Sequence, residues 1–564
     1  MYVLGFNCYV FNSAAVLLRD GVPVAAAQQE RFDRNRHTGE FPKDAIAYCL
    51  AQEGIGLKDV DHVAFHWRPF HDFHRRLGQI ARGMPASLRF WNSHGGRWWN
   101  MIRAPEDLRR HFPEATKQRP RFWRVRHHLC HGSSAFFCAP FDEAAILTVD
   151  GSGEMATTTL AHGRGSEIET LGEVYFPHSL GYLYVSLTHY LGFKPDSDEY
   201  KVMALSALGQ PTFRKDFEEI VTLEGEGSFR LDLDYFGFQH GIRDPWVSPR
   251  FIERFGPLRR RGEPLEQRHY DIAFALQKRV EDVVLHLARG LKARTGSRNL
   301  AYAGGVALNS VLNTRLREEL GFDEVFVQPG ANDAGTALGA ALYVWRHHLK
   351  QDTRCDFRSA ALGPAFPDEA CQAALAGRPH EVLGEEALLE RTAKALAAGK
   401  VVGWFQGRME FGPRALGHRS ILADPRPAEM KDRINAKVKH REGFRPFAPA
   451  VPLEEASTFF DSTRPSPFML YVVPIREAWV DRLAAVAHVD GTARLQTVER
   501  EVDPLFWGLL RAFEKESGVP VILNTSFNVM GEPIVCTPED AVACYDGTGI
   551  DALALGPCWV EKPE

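Results

Sequence analysis

The stretch AAILTVDGSGE, residues 144–154, decides the fold class of this chain. The apolar run at 144–149 predicts a buried β-strand, which ends at Asp150 in a turn containing Gly151 and Gly153. A carboxylate and a glycine turn at the end of a buried strand are typical of α/β proteins, where ligands bind at strand ends. We therefore expect an α/β fold with a ligand site near Asp150.

Strand and helix signals alternate on either side of this stretch. Strands are predicted at 300–303 and 325–327, each running into a glycine turn, and a long helix at 270–294. Glycine lets backbone N–H groups approach phosphate oxygens. No Walker A or G-x-G-x-x-G motif is present. Phosphate turns set this far apart indicate a two-lobed, actin-like nucleotide fold. The glycines of these turns, among them Gly304, Gly305 and Gly330, are candidate phosphate contacts.

Three histidines, His127, His128 and His131, lie upstream of the strand at 144–149, in HHLCHGSSAFF at 127–137. In a helix, His127 and His131 project from one face, and an H-x-x-x-H pair is a known way to hold a divalent metal. Asp150, and Asp333 in a glycine-rich turn before a predicted helix, extend the set. Two imidazoles and two carboxylates suit Fe(II), Mn(II) or a similar ion. A structural histidine pair and a helix N-cap at Asp333 remain alternatives.

The C-terminal part of the chain concentrates cations in loops. The segments 406–420 and 435–449 mix Arg and Lys with Gly, Pro and Phe, a pattern that favours a small-anion site over a solvated charged face. A helix is predicted at 388–398, and strands are predicted at 401–405, 468–475, 520–523 and 552–555. The polar residues 524–528 follow one of these strands and offer hydroxyl and amide groups. We expect domains at 1–355 and 385–564, with a linker at 356–384.

Composition excludes several classes of protein. The 564 residues are 45% hydrophobic and 25% charged, which excludes a disordered chain, and the net charge of −5 argues against a nucleic-acid partner. No apolar run reaches the length of a transmembrane helix, so no membrane partner is expected. The nine cysteines form no C-x-x-C pair, and a reduced, cytoplasmic protein fits best.

Taken together, the ordered motifs resemble the ATP-dependent O-carbamoyltransferases of the nodulation and antibiotic-tailoring type. The resemblance runs nearly end to end and is carried by residues 29–32, 127–131, 148–154, 179–184, 199–205, 304–309, 329–335, 403–425, 445–449 and 523–533. It implies an actin-like N-terminal domain and a YrdC-like C-terminal domain. It also implies that the second domain makes carbamoyl adenylate from carbamoyl phosphate and ATP. The first would transfer the carbamoyl group to an acceptor hydroxyl at a metal.

The resemblance also implies roles for individual residues. Gly304, Gly305 and Asn309 would be the nucleotide contacts of the first domain. The cofactor would be Fe(II) or another divalent ion. Its ligands would be His127, His131, Asp150 and Asp333. Carbamoyl phosphate and ATP, the latter with Mg²⁺, would contact Arg414, Lys439, Arg445, Arg494, Asn524 and Ser526, of which Arg414 and Lys439 would be catalytic. The partner would be a small acceptor alcohol from a natural product or a sugar. A homodimer is compatible with the sequence.

One departure concerns the acceptor site. Relatives usually carry a His-x-Asp pattern in the first turn, where this chain has Val10-Phe11-Asn12, so a base from that turn is in doubt. His178 is an alternative base or a structural hydrogen-bonding residue. The Trp- and Arg-rich stretch 67–125 has two alternative interpretations, an acceptor-binding wall and a helical cap. A tRNA-modifying enzyme, a non-catalytic actin-like protein and a sugar kinase are rival functions, all disfavoured.

Overall fold

The computed structural model describes residues 1–84, 87–116, 120–241 and 244–563, and it divides into two compact units. Unit 1 comprises Met1–Gln29 and His37–Phe357, and unit 2 comprises Glu30–Arg36 and Arg358–Glu564. The segment expected as a linker therefore belongs, from Arg358 onward, to unit 2. It is held there by backbone pairing of Ala361 with Glu410 and of Val382 with Cys558.

Unit 1 contains two sheets of the same topology. Their strand orders are β3-β2-β1-β4-β5 and β8-β7-β6-β11-β12. In each sheet the first three strands in sequence are antiparallel, and the last two lie parallel to the first. This duplicated sheet is the two-lobed, actin-like arrangement expected from the sequence, and that fold class is confirmed. The strands are β1 (Tyr2–Asn7), β2 (Ala14–Arg19), β3 (Val22–Gln28), β4 (His62–Phe65), β5 (Arg121–Arg124), β6 (Glu143–Val149), β7 (Ala156–Arg164), β8 (Glu167–Tyr175), β9 (Val221–Glu224), β10 (Ser228–Leu231), β11 (Asn299–Ala303) and β12 (Glu324–Val327).

Unit 2 is built on a mixed sheet of eight strands with the order β13-β22-β21-β14-β15-β20-β16-β19. Alternate residues of its strands enter two separate cores: Trp404 packs on one face and Phe405 on the other. Burial of both faces explains why the strands are apolar runs without polar alternation. The strands are β13 (Glu381–Val382), β14 (Val402–Phe405), β15 (Arg419–Ala423), β16 (Ala448–Pro452), β17 (Val472–Pro474), β18 (Thr492–Arg494), β19 (Gln496–Val498), β20 (Ile522–Ser526), β21 (Ala552–Leu555) and β22 (Cys558–Glu561).

The strand predicted at 468–475 is wrong in extent. Only Val472–Pro474 is a strand, because Met469 adopts a left-handed φ of +55°, which interrupts an extended chain. The long helix predicted at 270–294 is confirmed as Gln267–Thr295. The helices are α1 (Glu30–Asp33), α2 (Lys43–Gln52), α3 (Phe73–Arg82), α4 (Ser87–His111), α5 (His127–Phe136), α6 (Leu180–Tyr190), α7 (Glu199–Ser206), α8 (Arg214–Ile220), α9 (Pro249–Phe255), α10 (Gln267–Thr295), α11 (Ser310–Glu319), α12 (Ala334–Tyr343), α13 (Asp368–Ala374), α14 (Glu385–Ala397), α15 (Glu429–Lys437), α16 (Ala456–Phe459), α17 (Glu477–Val480), α18 (Pro504–Ser517) and α19 (Pro538–Asp546).

No helix in the described part of the chain combines the length and the apolar character that crossing a bilayer requires.

Candidate metal centre and anion site

Helix α5 presents the two histidines predicted as metal ligands. It begins at His127, whose backbone N–H donates to both carboxylate oxygens of Glu154 at 3.2 Å. A carboxylate at this position satisfies free amides and complements the positive end of the helix dipole. The helical spacing then places His127 and His131 on one face. The segment therefore meets the condition on which the metal-ligand interpretation of the pair depends, that it be helical.

Helix α12 brings the second acid to the same place. Asp333 occupies the N-cap position of α12, but its side chain makes no capping hydrogen bond. The helix approaches α5 closely at Gly339, where an added Cβ would lie 1.7 Å from the carbonyl oxygen of Cys130. Only glycine permits this approach. The carboxylate of Asp333 faces the histidines, so Asp333 stands at the N-cap position without capping the helix through its side chain.

The four predicted ligands form one cluster. Their ligand atoms all lie within 4.8 Å of one another. Nε2 of His127 lies 3.1 Å from Nε2 of His131, 3.3 Å from Oδ2 of Asp150 and 3.5 Å from Oδ1 of Asp333. Nε2 of His131 lies 3.6 and 3.7 Å from the same two oxygens. All four side chains are at most 13% exposed.

This cluster fits a divalent transition metal. Ligand bonds of about 2.0–2.2 Å place neighbouring ligand atoms roughly 3.0–3.5 Å apart, in octahedral or tetrahedral geometry. The separations in the cluster lie close to that range. Two imidazoles and two carboxylates are also the ligand types that Fe(II), Mn(II) and Zn(II) share. His127, His131, Asp150 and Asp333 could therefore hold such an ion.

Charge within the cluster is strongly coupled. Burial opposes the charged form of His131, but hydrogen bonds with Asp150 and Asp333 raise its pKa to about 9. Burial would raise the pKa of Asp150, yet hydrogen bonds from His127 and His131 hold it well below its usual value. The carboxylates thus stabilise positive charge at this point, whether a proton or a metal ion supplies it.

Backbone groups fix the two carboxylates. Oδ1 of Asp150 accepts from the backbone N–H of Gly305 at 2.9 Å, and Oδ2 of Asp333 accepts from that of Phe11 at 3.4 Å. Each acid therefore has one oxygen held by the backbone and another facing the histidines. The turn that departs from the family pattern, Val10-Phe11-Asn12, consequently lies directly against the cluster.

Of the predicted nucleotide contacts of unit 1, Gly304 and Gly305 lie beside the strand end that carries Asp150. Gly304 has a φ of +99° and follows β11, and Gly305 bonds Asp150 as described. Asn309 instead caps α11, accepting from the backbone N–H of Leu312 at 3.1 Å, and it exchanges two hydrogen bonds with Gln277. Gly330 is buried, and its backbone N–H donates to Gln328 at 3.4 Å. Asn309 thus has a structural role beside its predicted one.

His178, considered as an alternative base, and two polar side chains of the altered first turn make hydrogen bonds of their own. Nδ1 of His178 accepts from the backbone N–H of Leu231 at 3.2 Å, and burial lowers its pKa. That hydrogen bond supports the structural alternative for His178. In the altered first turn, Oδ1 of Asn12 pairs with Nδ1 of His37 at 2.8 Å, and the hydroxyl of Tyr9 donates to Asp107 at 2.7 Å.

Unit 2 gathers predicted phosphate-binding residues into an arginine cluster, defined here as Arg414, Arg441, Arg445 and Arg494. Burial, followed by the positive charges of the other three, lowers the pKa of Arg494 well below its usual value. Within the described chain, its buried Nε has no hydrogen-bond partner. Cations held together and desolvated in this way favour an anion between them.

Lys439 lies next to the arginine cluster. Its Nζ donates to the backbone oxygen of Ser526 and, at 2.9 Å each, to the backbone oxygen and Oδ1 of Asn528. Burial, then the charges of Arg441 and Arg445, lowers the pKa of Lys439 well below its usual value. Asn524 is buried on β20, the strand that ends at Ser526, and its side-chain amide donates to Oε1 of Gln496 at 2.8 Å.

Sequence reasoning missed three residues at these two sites. Arg441 lies two positions from Lys439, and Asn528 lies two positions from Ser526, within segments already predicted to bind anions. The sequence of a loop does not show which of its side chains converge. His66 is buried against His127, with 3.2 Å between their Nδ1 atoms. Its only signal is that it follows strand β4 directly, as Asp150 follows β6.

The stretch 67–125 folds mainly as helices α3 and α4. Trp98 stacks on Phe73 with ring centroids 5.4 Å apart, and its indole N–H donates to the backbone oxygen of Pro69. These contacts are those of an aromatic-packed helical cap. Within this stretch, residues 85–86 and 117–119 lie outside the described part of the structure. The side chain of Trp91, which the stretch also contains, lies outside it as well. A role as an acceptor-binding wall stays a prediction.

The fold and the two sites define an α/β protein with an actin-like unit, a His/Asp metal-type cluster and an arginine cluster in the second unit. Residues 2–342 match the family described as "Carbamoyltransferase N-terminus", and residues 393–562 match "Carbamoyltransferase C-terminus". The chain belongs to the carbamoyltransferase family, as the resemblance of its motifs predicted.

Full-length relatives agree with this assignment. The chain is 42% identical to an uncharacterised protein of Synechocystis over 98% of this chain and 95% of that protein. It is 41% identical to nodulation protein NolNO of Sinorhizobium fredii, over 99% of this chain and 80% of the relative. HypF of T. kodakarensis superposes with a TM-score of 0.35 and 13% identity, over 62% of this chain and 48% of HypF. The actin-like assignment rests on the strand order of the two sheets of unit 1.

Proposed function

We propose that the protein is an ATP-dependent O-carbamoyltransferase that forms carbamoyl adenylate in unit 2 and transfers its carbamoyl group in unit 1. The single observation that carries this proposal is the convergence of His127, His131, Asp150 and Asp333 within 4.8 Å, in a chain of the carbamoyltransferase family. The arginine cluster supports the assignment of the first step to unit 2.

The proposed first step uses the cations of unit 2. Water releases phosphate from carbamoyl phosphate, and an oxygen of the resulting carbamate attacks the α-phosphorus of ATP, expelling pyrophosphate. Both substrates are polyanions, ATP arriving with Mg²⁺. Arg414, Arg445 and Arg494 would neutralise the phosphates, and Lys439, oriented by Ser526 and Asn528, would face the developing charge. Burial of Lys439 strengthens its interactions because the local dielectric is low.

The proposed second step takes place at the His/Asp cluster. The acceptor hydroxyl attacks the carbamoyl carbon, the bond to AMP breaks, and the hydroxyl proton leaves to a base or to solvent. A divalent metal, Fe(II) or a similar ion, supplies Lewis-acid polarisation when bound. The protein's part is to hold the four ligands in place through Gly305, Phe11 and Glu154 and to exclude water from buried side chains.

The acceptor class is proposed as a small natural-product or sugar-like alcohol. A net charge of −5 offers no general attraction to a nucleic acid. We place the protein in the cytoplasm, because its nine cysteines are all free and buried.

Pyrophosphate release tests the proposal. Purified protein with ATP and carbamoyl phosphate should release pyrophosphate, whereas omission of either substrate should abolish the release. Arg414→Ala should abolish this step. His127→Ala should retain it and lose carbamoyl transfer to an alcohol acceptor. No pyrophosphate from the wild type, or failure of both variants at the same step, would contradict the two-site function.

A further inference from the structure

A buried histidine connects the metal cluster to the first strand of unit 1. His66 follows β4 and is completely buried. Its Nδ1 lies 3.2 Å from Nδ1 of His127. Its Nε2 lies 3.2 Å from the backbone oxygen of Cys8 and 3.4 Å from the backbone nitrogen of the same residue. The chain of contacts runs from Cys8 through His66 to His127 and so to the cluster.

The geometry limits where the protons of this chain can be. Only one proton can lie between two nitrogens that face each other at hydrogen-bond distance. If Nε2 of His66 donates to the Cys8 oxygen, its Nδ1 accepts from His127, and Nε2 of His127 offers a lone pair to the cluster. If Nε2 of His66 instead accepts from the Cys8 N–H, the order reverses. His127 then carries its proton on Nε2 and donates to Oδ2 of Asp150 at 3.3 Å.

We propose that His66 is a positioning residue that sets the tautomer of His127 for metal binding. In this assignment the first proton order belongs to the metal-bound site and the second to the metal-free site. Cys8 presents both a carbonyl and an amide to the same nitrogen of His66, so neither state leaves a buried ring nitrogen of His66 unpaired. The inference rests on the metal site of the proposed function. It adds His66 as the residue that sets the tautomer of one of the metal ligands.

Removal of the His66 ring would act on the metal-bound state. When Nε2 of His127 is a ligand, its Nδ1 must carry the proton, and without His66 that buried donor loses its acceptor. Partners of this kind typically change metal affinity by about 10–100-fold. His128 provides a matched control. It is equally buried, and its ring centroid lies 5.8 Å from that of His127. However, its Nδ1 pairs with Oγ1 of Thr148 at 2.7 Å.

The experiment measures Mn(II) binding to the metal-free full chain, by the electron paramagnetic resonance signal of the free ion. We expect His66→Phe to raise the Kd for Mn(II) about 10–100-fold. His66→Asn, which keeps an acceptor and a donor amide, should recover most of the affinity, and His128→Phe should leave the Kd within about threefold of the wild type. Circular dichroism checks folding. If His66→Phe does not fold, His66→Met answers the same question.

Two results overturn the inference: an unchanged Kd in the variant that lacks the ring, or an equal loss in His128→Phe. Wild-type protein that binds no Mn(II) also overturns it, together with the metal site. Mn(II) binding is read without turnover. A wild type that binds Mn(II) but releases no pyrophosphate therefore contradicts the proposed function and leaves the role of His66 standing.

Discussion

Nε2 of His127 lies 3.5 Å from Oδ1 of Asp333, although one residue begins helix α5 and the other begins helix α12. The relationship depends on packing of the two helices and provides the first prediction. Asp333→Asn should weaken metal binding by more than the roughly 10–100-fold typical of outer partners, because it removes a charged ligand. Metal at about 100 times its Kd should stabilise the wild type by ~2.7 kcal/mol. Thermal unfolding with and without Mn(II) measures the difference.

The matched control for this variant is Asp352→Asn, whose carboxylate is fully exposed. It should retain the full metal-induced shift. An equal shift in Asp333→Asn would show that Asp333 is not a ligand.

Gly305→Ala should impair the metal site without unfolding the protein. The added Cβ would lie 2.9 Å from Oδ1 of Asp150 and must displace that carboxylate. We expect a loss of about tenfold in Mn(II) affinity. Gly151→Ala, one residue beyond Asp150 and with open space around its Cβ, should bind metal as the wild type does. Equilibrium dialysis compares the variants, and equal affinities would contradict the predicted displacement.

Glu199, the first residue of α7, should make stability depend on pH. Burial raises its pKa from the usual 4.5 to about 8. The folded protein therefore binds this proton more tightly than the unfolded chain does. The stability it contributes is fully present below about pH 4.5 and is lost as the pH rises through about 8. Glu199→Gln should gain stability relative to the wild type between pH 5 and 9, by roughly 1–3 kcal/mol at the upper end.

Urea unfolding at both ends of this range measures the effect. Glu226→Gln, at an exposed position, should show a pH-independent difference from the wild type. A constant difference for Glu199→Gln as well would contradict the buried, protonated state.

Arg494→Met should separate stability from ligand binding. Arg494 is half-buried and experiences the positive charges of Arg414, Arg441 and Arg445, so its removal relieves repulsion in the ligand-free protein. We expect unchanged or higher thermal stability without ligand and loss of the stabilisation by carbamoyl phosphate. Arg500→Met, at an exposed position, should keep that stabilisation. A variant that is still stabilised by carbamoyl phosphate would exclude Arg494 from the anion site.

The fold class and the identity of the four candidate ligands could be predicted because each has a local signal. Asp150 ends an apolar strand, and the histidine spacing is that of one helical turn. The convergence of Asp333 with them, and of Arg441 with Arg494, depends on packing between elements far apart in sequence, which no local pattern encodes. The same holds for His66, whose role appears only when β4 is placed beside β1. The strand at 472–474 is an example of a misleading local signal. The apolar run at 468–475 predicts a longer strand, but the left-handed φ of Met469 interrupts it.

Residues 30–36 have a consequence for how the protein is made. They are synthesised early, within unit 1 sequence, yet they belong to the compact unit whose other residues begin at 358. Arg34 donates to the backbone oxygens of Pro533 and Ile534, close to the end of the chain. Unit 2 therefore cannot reach its complete form until almost the whole polypeptide has left the ribosome. A cut at the boundary near residue 357 leaves the second piece without residues 30–36, so a single cut in the gene cannot yield a complete unit 2.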